Sequence, residues 1–172
     1  NISYGVSFEN DIYVAYDDPT PGEENDTFEY AGVLGVPLIF SHDGGSIDST
    51  INLEITGDGT EDKITYTTDF TEPNENSNLY SGPITIDETT IIRAKAFKEG
   101  HISLHSNTRN YFFNIESNHP IVHLVTDEYN LFDYDYGIYA YGPPDYGGYP
   151  YFGANFWEDW ERPVHISYYE NN

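Results

Sequence analysis

Apolar and polar residues alternate along several short stretches of this chain. In residues 51–56, isoleucine and leucine take every second position, and Asn, Glu and Thr lie between them. Residues 64–68 repeat the alternation, and short apolar runs occur at 36–40, 84–86 and 91–97. A period of two is that of a β-strand with one buried and one solvent-exposed face. No window places apolar residues at the 3.6-residue period of an amphipathic helix, so the pattern predicts strands.

Turn-forming residues separate these stretches about every ten residues. Residues 43–45, 57–59 and 98–100 each bring glycine together with a charged residue. We expect about seven short strands between residues 35 and 115, with a polar loop at 69–81. Strands of this length and spacing predict an all-β fold, an immunoglobulin-like or fibronectin-III-like β-sandwich, at residues 31–116.

Residues 1–30 contain a single alternating run, at 11–16, followed by a cluster rich in Pro, Gly and Asp at 17–25. Such clusters form turns and linkers. We therefore expect residues 1–30 to be the end of a preceding β domain or a linker.

Residues 117–172 differ from the sandwich in composition. Strand-like runs at 120–125 and 164–169 enclose a segment with eight tyrosines between Tyr129 and Tyr151 and no Lys or Arg there. This predicts a Tyr-rich, partly β C-terminal segment. Because a core of this size cannot close by itself, the segment is expected either to pack on the sandwich or to begin a truncated domain, and we expect truncation.

The net charge of the chain disfavours some classes of binding partner. The chain has 30 acidic and 6 basic residues, a net charge of −24, which disfavours nucleic acid and anionic lipid. No stretch approaches the roughly 18–20 apolar residues of a membrane span. Aromatic residues make up 17% of the chain, enough to build a core, and cysteine is absent. This combination is typical of an extracellular or cell-surface bacterial protein.

Four separated motifs resemble those of a known accessory module. They are Tyr66-Thr67-Thr68-Asp69, Glu72-Pro73, Leu79-Tyr80-Ser81-Gly82-Pro83-Ile84 and Thr89-Thr90-Ile91-Ile92-Arg93-Ala94-Lys95-Ala96. In this order they are similar to the chitobiase/β-hexosaminidase C-terminal-type module, also called the FN3-associated domain. Phe70 stands where the usual pattern has Gly, so we expect the turn there to differ. The resemblance covers about residues 36–115 and implies a fibronectin-III-like accessory sandwich.

The C-terminal segment resembles a second family. The motifs are His119-Pro120-Ile121-Val122-His123-Leu124-Val125-Thr126-Asp127, Asn130-Leu131-Phe132-Asp133, Gly137-Ile138-Tyr139 and Trp160-Glu161-Arg162-Pro163-Val164-His165-Ile166. They are similar to the beginning of a CotH kinase-like domain, which residues 117–172 would open and not complete. Asp18-Pro19-Thr20-Pro21-Gly22 is similar to the exit of a lamin-tail-type β domain.

The CotH family is associated with atypical protein kinase activity. Phosphoryl transfer needs Lys or Arg and Mg²⁺ to neutralise phosphate charge. After Lys98 this chain has only Arg109 and Arg162 as basic residues, and no Gly-rich loop is followed by Lys. The resemblance places the family's catalytic core beyond residue 172. We therefore assign no catalytic residue and expect no enzymatic activity in this chain.

Calcium is the cofactor that the loop carboxylates suggest, since Ca²⁺ takes six to eight oxygen ligands. The candidate ligands are Asp58, Glu61 and Asp62 in one loop and Asp133 and Asp135 in another. None of these loops has the EF-hand pattern. The alternative is that these side chains accept hydrogen bonds from the backbone of their own turns.

An aromatic cluster supplies the candidate binding residues. They are Tyr146, Tyr149, Tyr151, Phe152 and Trp157, with Phe156 and Trp160 beside them. An aromatic face can stack on the apolar face of a sugar ring while a phenol or indole tip forms hydrogen bonds. The same rings could contact a protein partner or a second copy, or pack on a neighbouring sheet.

These observations predict a non-catalytic extracellular or cell-surface module for spacing, adhesion or assembly that contacts a protein or a glycan. One alternative is the accessory N-terminal part of a secreted CotH-like protein kinase. Another is a structural subunit of an extracellular assembly that associates with itself. Neither nucleic acid nor membrane insertion is expected.

Overall fold

The computed structural model describes residues 2–7, 13–18, 20, 22, 28–115, 119–143 and 148–170. Of these residues, 40% lie in strands and 5% in helices. The predicted all-β class is therefore confirmed. The two helices are α1 (Glu128–Phe132) and a single 3₁₀ turn (Asn155–Trp157), and no helix among the described residues is long and apolar enough to cross a membrane.

Fifteen strands are present in the described part of the chain. In chain order they are β1 (Ser3–Val6), β2 (Tyr13–Tyr16), β3 (Gly32–Leu34), β4 (Ile39–Phe40), β5 (Gly45–Ile47), β6 (Ile51–Leu53), β7 (Ile55–Thr56), β8 (Lys63–Thr67), β9 (Asn78–Leu79), β10 (Ile84–Ile86), β11 (Thr90–Phe97), β12 (His101–Ser103), β13 (Asn107–Phe113), β14 (Ile121–Val125) and β15 (His165–Tyr169).

One layer of the fold is a five-stranded sheet in the order β5-β13-β11-β8-β9. Its pairs are antiparallel except for β5 and β13, which run parallel. The central strand β11 has eight residues and alternates between the two faces of the sheet. The core-facing residues of β11 are Ile92, Ala94 and Ala96. Arg93 and Lys95 therefore lie on the outer face of the sheet, where they contact residues distant in the sequence.

The opposite layer is built from short strands around β6 and β7, which Glu54 separates. β6 pairs with β10, and β7 pairs with β4. Leu53 and Ile55 are buried and the polar residues between apolar positions are exposed, which confirms the predicted alternation at 51–56. The core between the layers consists of Leu34, Val36, Leu38, Phe40, Leu53, Ile55, Ile64, Ile86, Ile92, Ala94, Ala96 and Tyr111.

Two short strands lie where the sequence indicates turn or loop. β9 falls inside residues 69–81 and β5 begins at Gly45 of a predicted turn. Both are held by backbone pairing, to β8 and β13 respectively, and neither has an apolar alternation that could mark it. The prediction of an uninterrupted loop at 69–81 is therefore wrong in this detail.

The N-terminal strands are joined to the sandwich by backbone hydrogen bonds. β1 and β2 form an antiparallel pair, and Ala15 and Tyr30 exchange two N–H···O bonds of 2.9 Å. Ala31 then donates to the carbonyl of Gly100 at 2.7 Å, and β3 pairs with β12. The alternating run predicted at 11–16 is thus strand from Tyr13, while Asp11 and Ile12 lie outside the described residues.

The C-terminal segment packs on the outer face of the five-stranded sheet. β14 and β15 pair antiparallel with Val125 opposite His165, which confirms the strands predicted at 120–125 and 164–169. The ring of Phe112 on β13 contacts the rings of His123 and Tyr169 edge to face, at centroid distances of 5.7 and 5.3 Å. Packing on the sandwich, one of the two arrangements expected for this segment, is therefore present.

Candidate functional site

The described residues of the connection between β14 and β15, 126–143 and 148–164, form a small lobe with Asn155 buried at its centre. Asn155 is 4% exposed. Its Nδ2 donates to the carbonyls of Tyr134 and Gly137, at 3.0 Å each, and its backbone N–H donates to the carbonyl of Tyr141. We call this segment the aromatic lobe, and its polar centre ties three stretches of chain together.

Arg162 fixes the other side of the aromatic lobe. Its guanidinium lies 3.6 Å from the ring centroid of Tyr136 and 4.9 Å from that of Trp160. The same group donates through Nε to the Tyr136 carbonyl at 3.0 Å. A guanidinium between two aromatic faces combines cation–π attraction with hydrogen bonding, so Trp160 belongs to the framework of the lobe.

Six aromatic rings on the lobe contact one another in an unbroken series, here called the aromatic ladder. In spatial order they are Tyr149, Tyr151, Tyr141, Phe156, Trp157 and Phe152, with successive centroid distances of 6.4, 5.0, 5.8, 6.3 and 5.2 Å. Most pairs are edge to face or tilted, the arrangements that the ring quadrupole favours. The rings thus support one another as a continuous apolar surface.

The aromatic ladder faces solvent. Tyr149 is 91% exposed, Phe152 68% and Trp157 53%. Single exposed apolar side chains are common on protein surfaces, but contiguous apolar patches mark sites of interaction. The ladder is such a patch.

The backbone beneath the ladder is held by hydrogen bonds. Trp157 donates from Nε1 to the carbonyl of Pro150 at 3.0 Å. Tyr151 donates its N–H to Gly148, and Ala154 donates to Tyr151. Rings held this way lose little conformational freedom on binding, which favours affinity.

Four of the five predicted contact residues, Tyr149, Tyr151, Phe152 and Trp157, meet in the ladder, and Tyr146 lies outside the described residues. Sequence reasoning missed Tyr141, which joins the two halves of the ladder. Its position depends on Gly142, whose φ is 70° and where a Cβ would overlap the Asn155 side chain. Tyr141-Gly142 is one of several Tyr-Gly pairs in a segment rich in Tyr and Gly, so the sequence alone does not indicate this contact.

The carboxylates proposed for calcium in the first loop accept hydrogen bonds from turn backbone, Asp58 and Glu61 from their own turn and Asp62 from another. Asp58 Oδ1 accepts hydrogen bonds from the N–H and the hydroxyl of Thr60, at 2.9 and 2.7 Å, and these bonds lower the pKa of Asp58. Glu61 accepts from the N–H of Gly59, and Asp62 accepts from that of Glu99. The alternative reading, side chains bonded to turn backbone, describes this loop.

The second calcium loop has a similar arrangement. Asp133 Oδ1 accepts from the N–H groups of Asp135 and Tyr136, at 3.0 and 2.9 Å. In the part of the chain that the structure describes, no three His, Cys, Asp or Glu side chains converge as a metal site. The geometry therefore lends calcium no support at Asp133 and Asp135 or in the first loop.

A charged network lies where the aromatic lobe meets the sandwich. Arg93 donates through Nη1 to the carbonyl of Phe70 at 2.5 Å and through Nη2 to Glu72. Ser106 donates to the same Glu72 carboxylate at 2.8 Å. Asp127 of the lobe lies 3.9 Å from Arg93 Nη1. Two of the motifs noted in the sequence, at Glu72 and at Arg93, are therefore in direct contact.

Comparison with known proteins identifies part of the chain. Residues 42–108 match the family model described as the chitobiase/beta-hexosaminidase C-terminal domain. The matched stretch runs from just before β5 into β13 and leaves out the aromatic lobe. No curated protein and no solved structure matches the chain.

The matched domain is a non-catalytic β-sandwich module associated with carbohydrate-active enzymes. The resemblance drawn from the four motifs is confirmed for this part of the chain. The match does not extend to residues 117–172, where the CotH resemblance stays a prediction. Residues 42–108 are therefore similar to the chitobiase/beta-hexosaminidase C-terminal domain in sequence, and they fold as a β-sandwich.

Proposed function

We propose that this chain is a non-catalytic glycan-binding module that acts outside the cell or at its surface. The observation that carries the proposal is the aromatic ladder, an unbroken series of solvent-facing rings. The matched sandwich supports it, because that module is associated with carbohydrate-active enzymes.

The chemistry of the ladder fits a sugar better than a charged ligand. The axial C–H faces of pyranose rings are apolar and stack on Tyr, Trp and Phe, while phenol groups at the rim hydrogen-bond to hydroxyls. The loop beside the ladder adds Glu158 and Asp159, both exposed. Carboxylates accept hydrogen bonds from sugar hydroxyls and repel anions, so a neutral polysaccharide is the expected ligand class.

Binding to polysaccharides tests the proposal. The chain is run in native gels cast with dissolved xylan, β-glucan or glycol chitin, and is mixed with insoluble cellulose and chitin. We expect at least one polysaccharide to retard or capture it, and expect Tyr149→Ala combined with Phe152→Ala to abolish this. Tyr13→Ala is the matched control, since Tyr13 is an exposed tyrosine on β2, outside the lobe.

Two results would contradict the proposal. One is absence of binding across a panel that also contains the glycans of the native source. The other is equal loss of binding in the double variant and in Tyr13→Ala. Thermal unfolding of each variant shows whether the fold has been kept.

Self-association is a second candidate, supported by the outer face of the β14–β15 pair. Val122, Leu124, Ile166 and Tyr168 are each 57–61% exposed there, and the register sets Val122 opposite Tyr168 and Leu124 opposite Ile166. If this face joins copies of the chain, light scattering should show a concentration-dependent oligomer that Leu124→Glu dissociates. A monomer at all concentrations would remove this candidate.

A CotH-like continuation after residue 172 is a separate proposal. It is supported by the motifs at 119–127 and 160–166, which form β14 and the start of β15. The intact mass of the protein from its native source tests it. A mass much larger than that of this chain would place any kinase chemistry beyond residue 172, and a mass near that of this chain would remove the proposal.

A further inference from the structure

A cavity of about 480 Å³ lies between the sandwich and the C-terminal segment. Arg93 and Ser106 line it from the sandwich side, and Val125, Asp127, Asn130 and His165 line it from the segment. Clefts between structural units are frequent ligand sites, and this volume is in the range of small-molecule pockets. The cavity shares no residue with the aromatic ladder.

Asp127 is the polar group in this wall with the greatest capacity to bind a ligand. It stands at the N-cap of α1, yet its side chain forms no capping hydrogen bond. Among the described residues its carboxylate pairs with Arg93, at 3.9 Å. Arg93 is already committed to Glu72 and to the Phe70 carbonyl. The Asp127 carboxylate can therefore accept further hydrogen bonds, while Arg93 keeps one donor without a partner in the described part of the chain, its buried Nε.

The wall behind Asp127 is rigid. Asn130 is buried and donates from Nδ2 to Thr126 Oγ1 at 2.7 Å, and Thr126 Oγ1 donates in turn to the Pro163 carbonyl at 2.7 Å. These bonds join the first turn of the lobe to its last residues. The cavity is therefore shaped by a fixed hydrogen-bond chain and not by free side chains.

The charges around the cavity select the ligand class. Glu72 and Asp127 bring two carboxylates against two cations, Arg93 and Lys95, so these charges balance. Burial together with the Arg93 guanidinium lowers the pKa of His165, which keeps it neutral. An anion therefore finds no surplus positive charge here. A neutral hydroxyl, by contrast, donates to a carboxylate at little desolvation cost.

We propose that this cavity binds a single neutral sugar unit, with Asp127 accepting its hydroxyl hydrogens and Leu104, an exposed apolar side chain of the lining, contacting its apolar face. Sugars combine hydroxyl edges with C–H faces, and the cavity wall is likewise both polar and apolar. The choice of a sugar rests on the proposed function. The site itself is independent of the ladder, so either can fail alone.

Amide chemical shifts of the ¹⁵N-labelled full chain test the proposal. The probes are methyl glucoside and N-acetylglucosamine, with sodium sulfate titrated in parallel. We expect saturable shifts at Ser106, Asp127 and Asn130 with a sugar and none there with sulfate. Asp127→Ala should weaken binding about tenfold or more, the effect of losing a charged acceptor. The Tyr149→Ala and Phe152→Ala double variant should bind the sugar at this cavity unchanged.

A second variant tests the cavity independently, in case Asp127→Ala does not fold. Val164→Phe adds bulk at the cavity rim without touching the Arg93 network, and it should weaken sugar binding in the same way. The proposal is overturned if no saturable shift occurs at these amides up to 100 mM of either sugar (about 100-fold weaker than millimolar affinity). It is also overturned if shifts are confined to the ladder, or if sulfate binds at this cavity.

Discussion

Asn110 on β13 donates from Nδ2 to Ser167 Oγ on β15 at 2.9 Å, across the contact between the sandwich and the C-terminal segment. The same nitrogen lies 3.3 Å from the hydroxyl of Tyr169. Asn110 is almost completely buried. Because this buried amide contacts two residues of the C-terminal segment, the attachment of that segment depends on the Asn110 side chain.

Replacing this asparagine should loosen the contact. Asn110→Ala removes the hydrogen bonds to the Ser167 and Tyr169 hydroxyls, and we expect the free energy of unfolding to fall by about 1–3 kcal/mol. Urea unfolding followed by tryptophan fluorescence measures the change. Asn78→Ala, at an exposed position on β9, should alter it by less than about 0.5 kcal/mol. Equal stability of both variants would contradict this role for Asn110.

Acid should weaken the same contact. Burial lowers the pKa of His123 and of His165 below the ordinary value of 6.5, and Arg93 and Arg109 lower that of His165 further. The unfolded chain then binds more protons than the folded chain as pH falls below 6.5, so stability is lost in that window. Above pH 6.5 this loss of stability does not occur.

Comparison with a variant isolates these two groups from the many carboxylates. Melting temperature is measured from pH 7.5 to 5 for the native chain and for His123→Gln with His165→Gln. The double variant should lose less stability than the native chain over this range. Parallel pH profiles for the two proteins would show that the imidazoles do not titrate with unfolding.

Phe70→Gly should stabilise the sandwich. Phe70 has a φ of 71° and a half-exposed side chain. The left-handed conformation costs an L-residue about 1–2 kcal/mol, and the greater freedom of glycine in the unfolded chain offsets part of the gain. We expect a net gain of about 0.5–1 kcal/mol, read as a higher melting temperature. Glu88→Gly, in a turn without positive φ, should lower the melting temperature instead.

Gly142→Ala should disrupt the aromatic lobe and leave the sandwich folded. A Cβ at Gly142 would overlap the Asn155 side chain, and the φ of 70° is already unfavourable for alanine. Gly59→Ala is the matched control, because Gly59 has a φ of 84° and open space around its Cβ position. Both should lose about 1 kcal/mol from the backbone, and only Gly142→Ala should also lose polysaccharide binding. Retained binding in Gly142→Ala would argue against Asn155 as the centre of the lobe.

Added salt should stabilise the chain, whereas calcium should do so only through ionic strength. Ion pairs are present at Lys63, Arg93 and Lys95, but 6 basic residues cannot neutralise 30 acidic side chains, and the remaining repulsion is screened by salt. We expect the melting temperature to rise with NaCl and to rise equally with CaCl₂ at the same ionic strength. A rise at micromolar Ca²⁺ would instead indicate a specific site.

Sequence reasoning succeeded where burial alone dictates the structure. At Leu53 and Ile55 the period of two fixes both the strand and its inner face, since a shift by one residue would expose them. It failed at β5 and β9, which exist through backbone pairing to distant strands. The ladder lies between these cases. Tyr149 and Trp157 were recognisable by residue type, but they are joined through Tyr141, whose position depends on Asn155 and Gly142, and no local pattern reveals this.

The pairing of Val125 with His165 has a consequence for how this chain can diversify. The aromatic lobe leaves and re-enters the fold at neighbouring positions on two paired strands, so its two ends are held side by side whatever lies between them. A segment anchored in this way can be exchanged for another of different length and composition without moving the sandwich. The paired strands therefore act as a support that does not depend on the composition of the segment they carry.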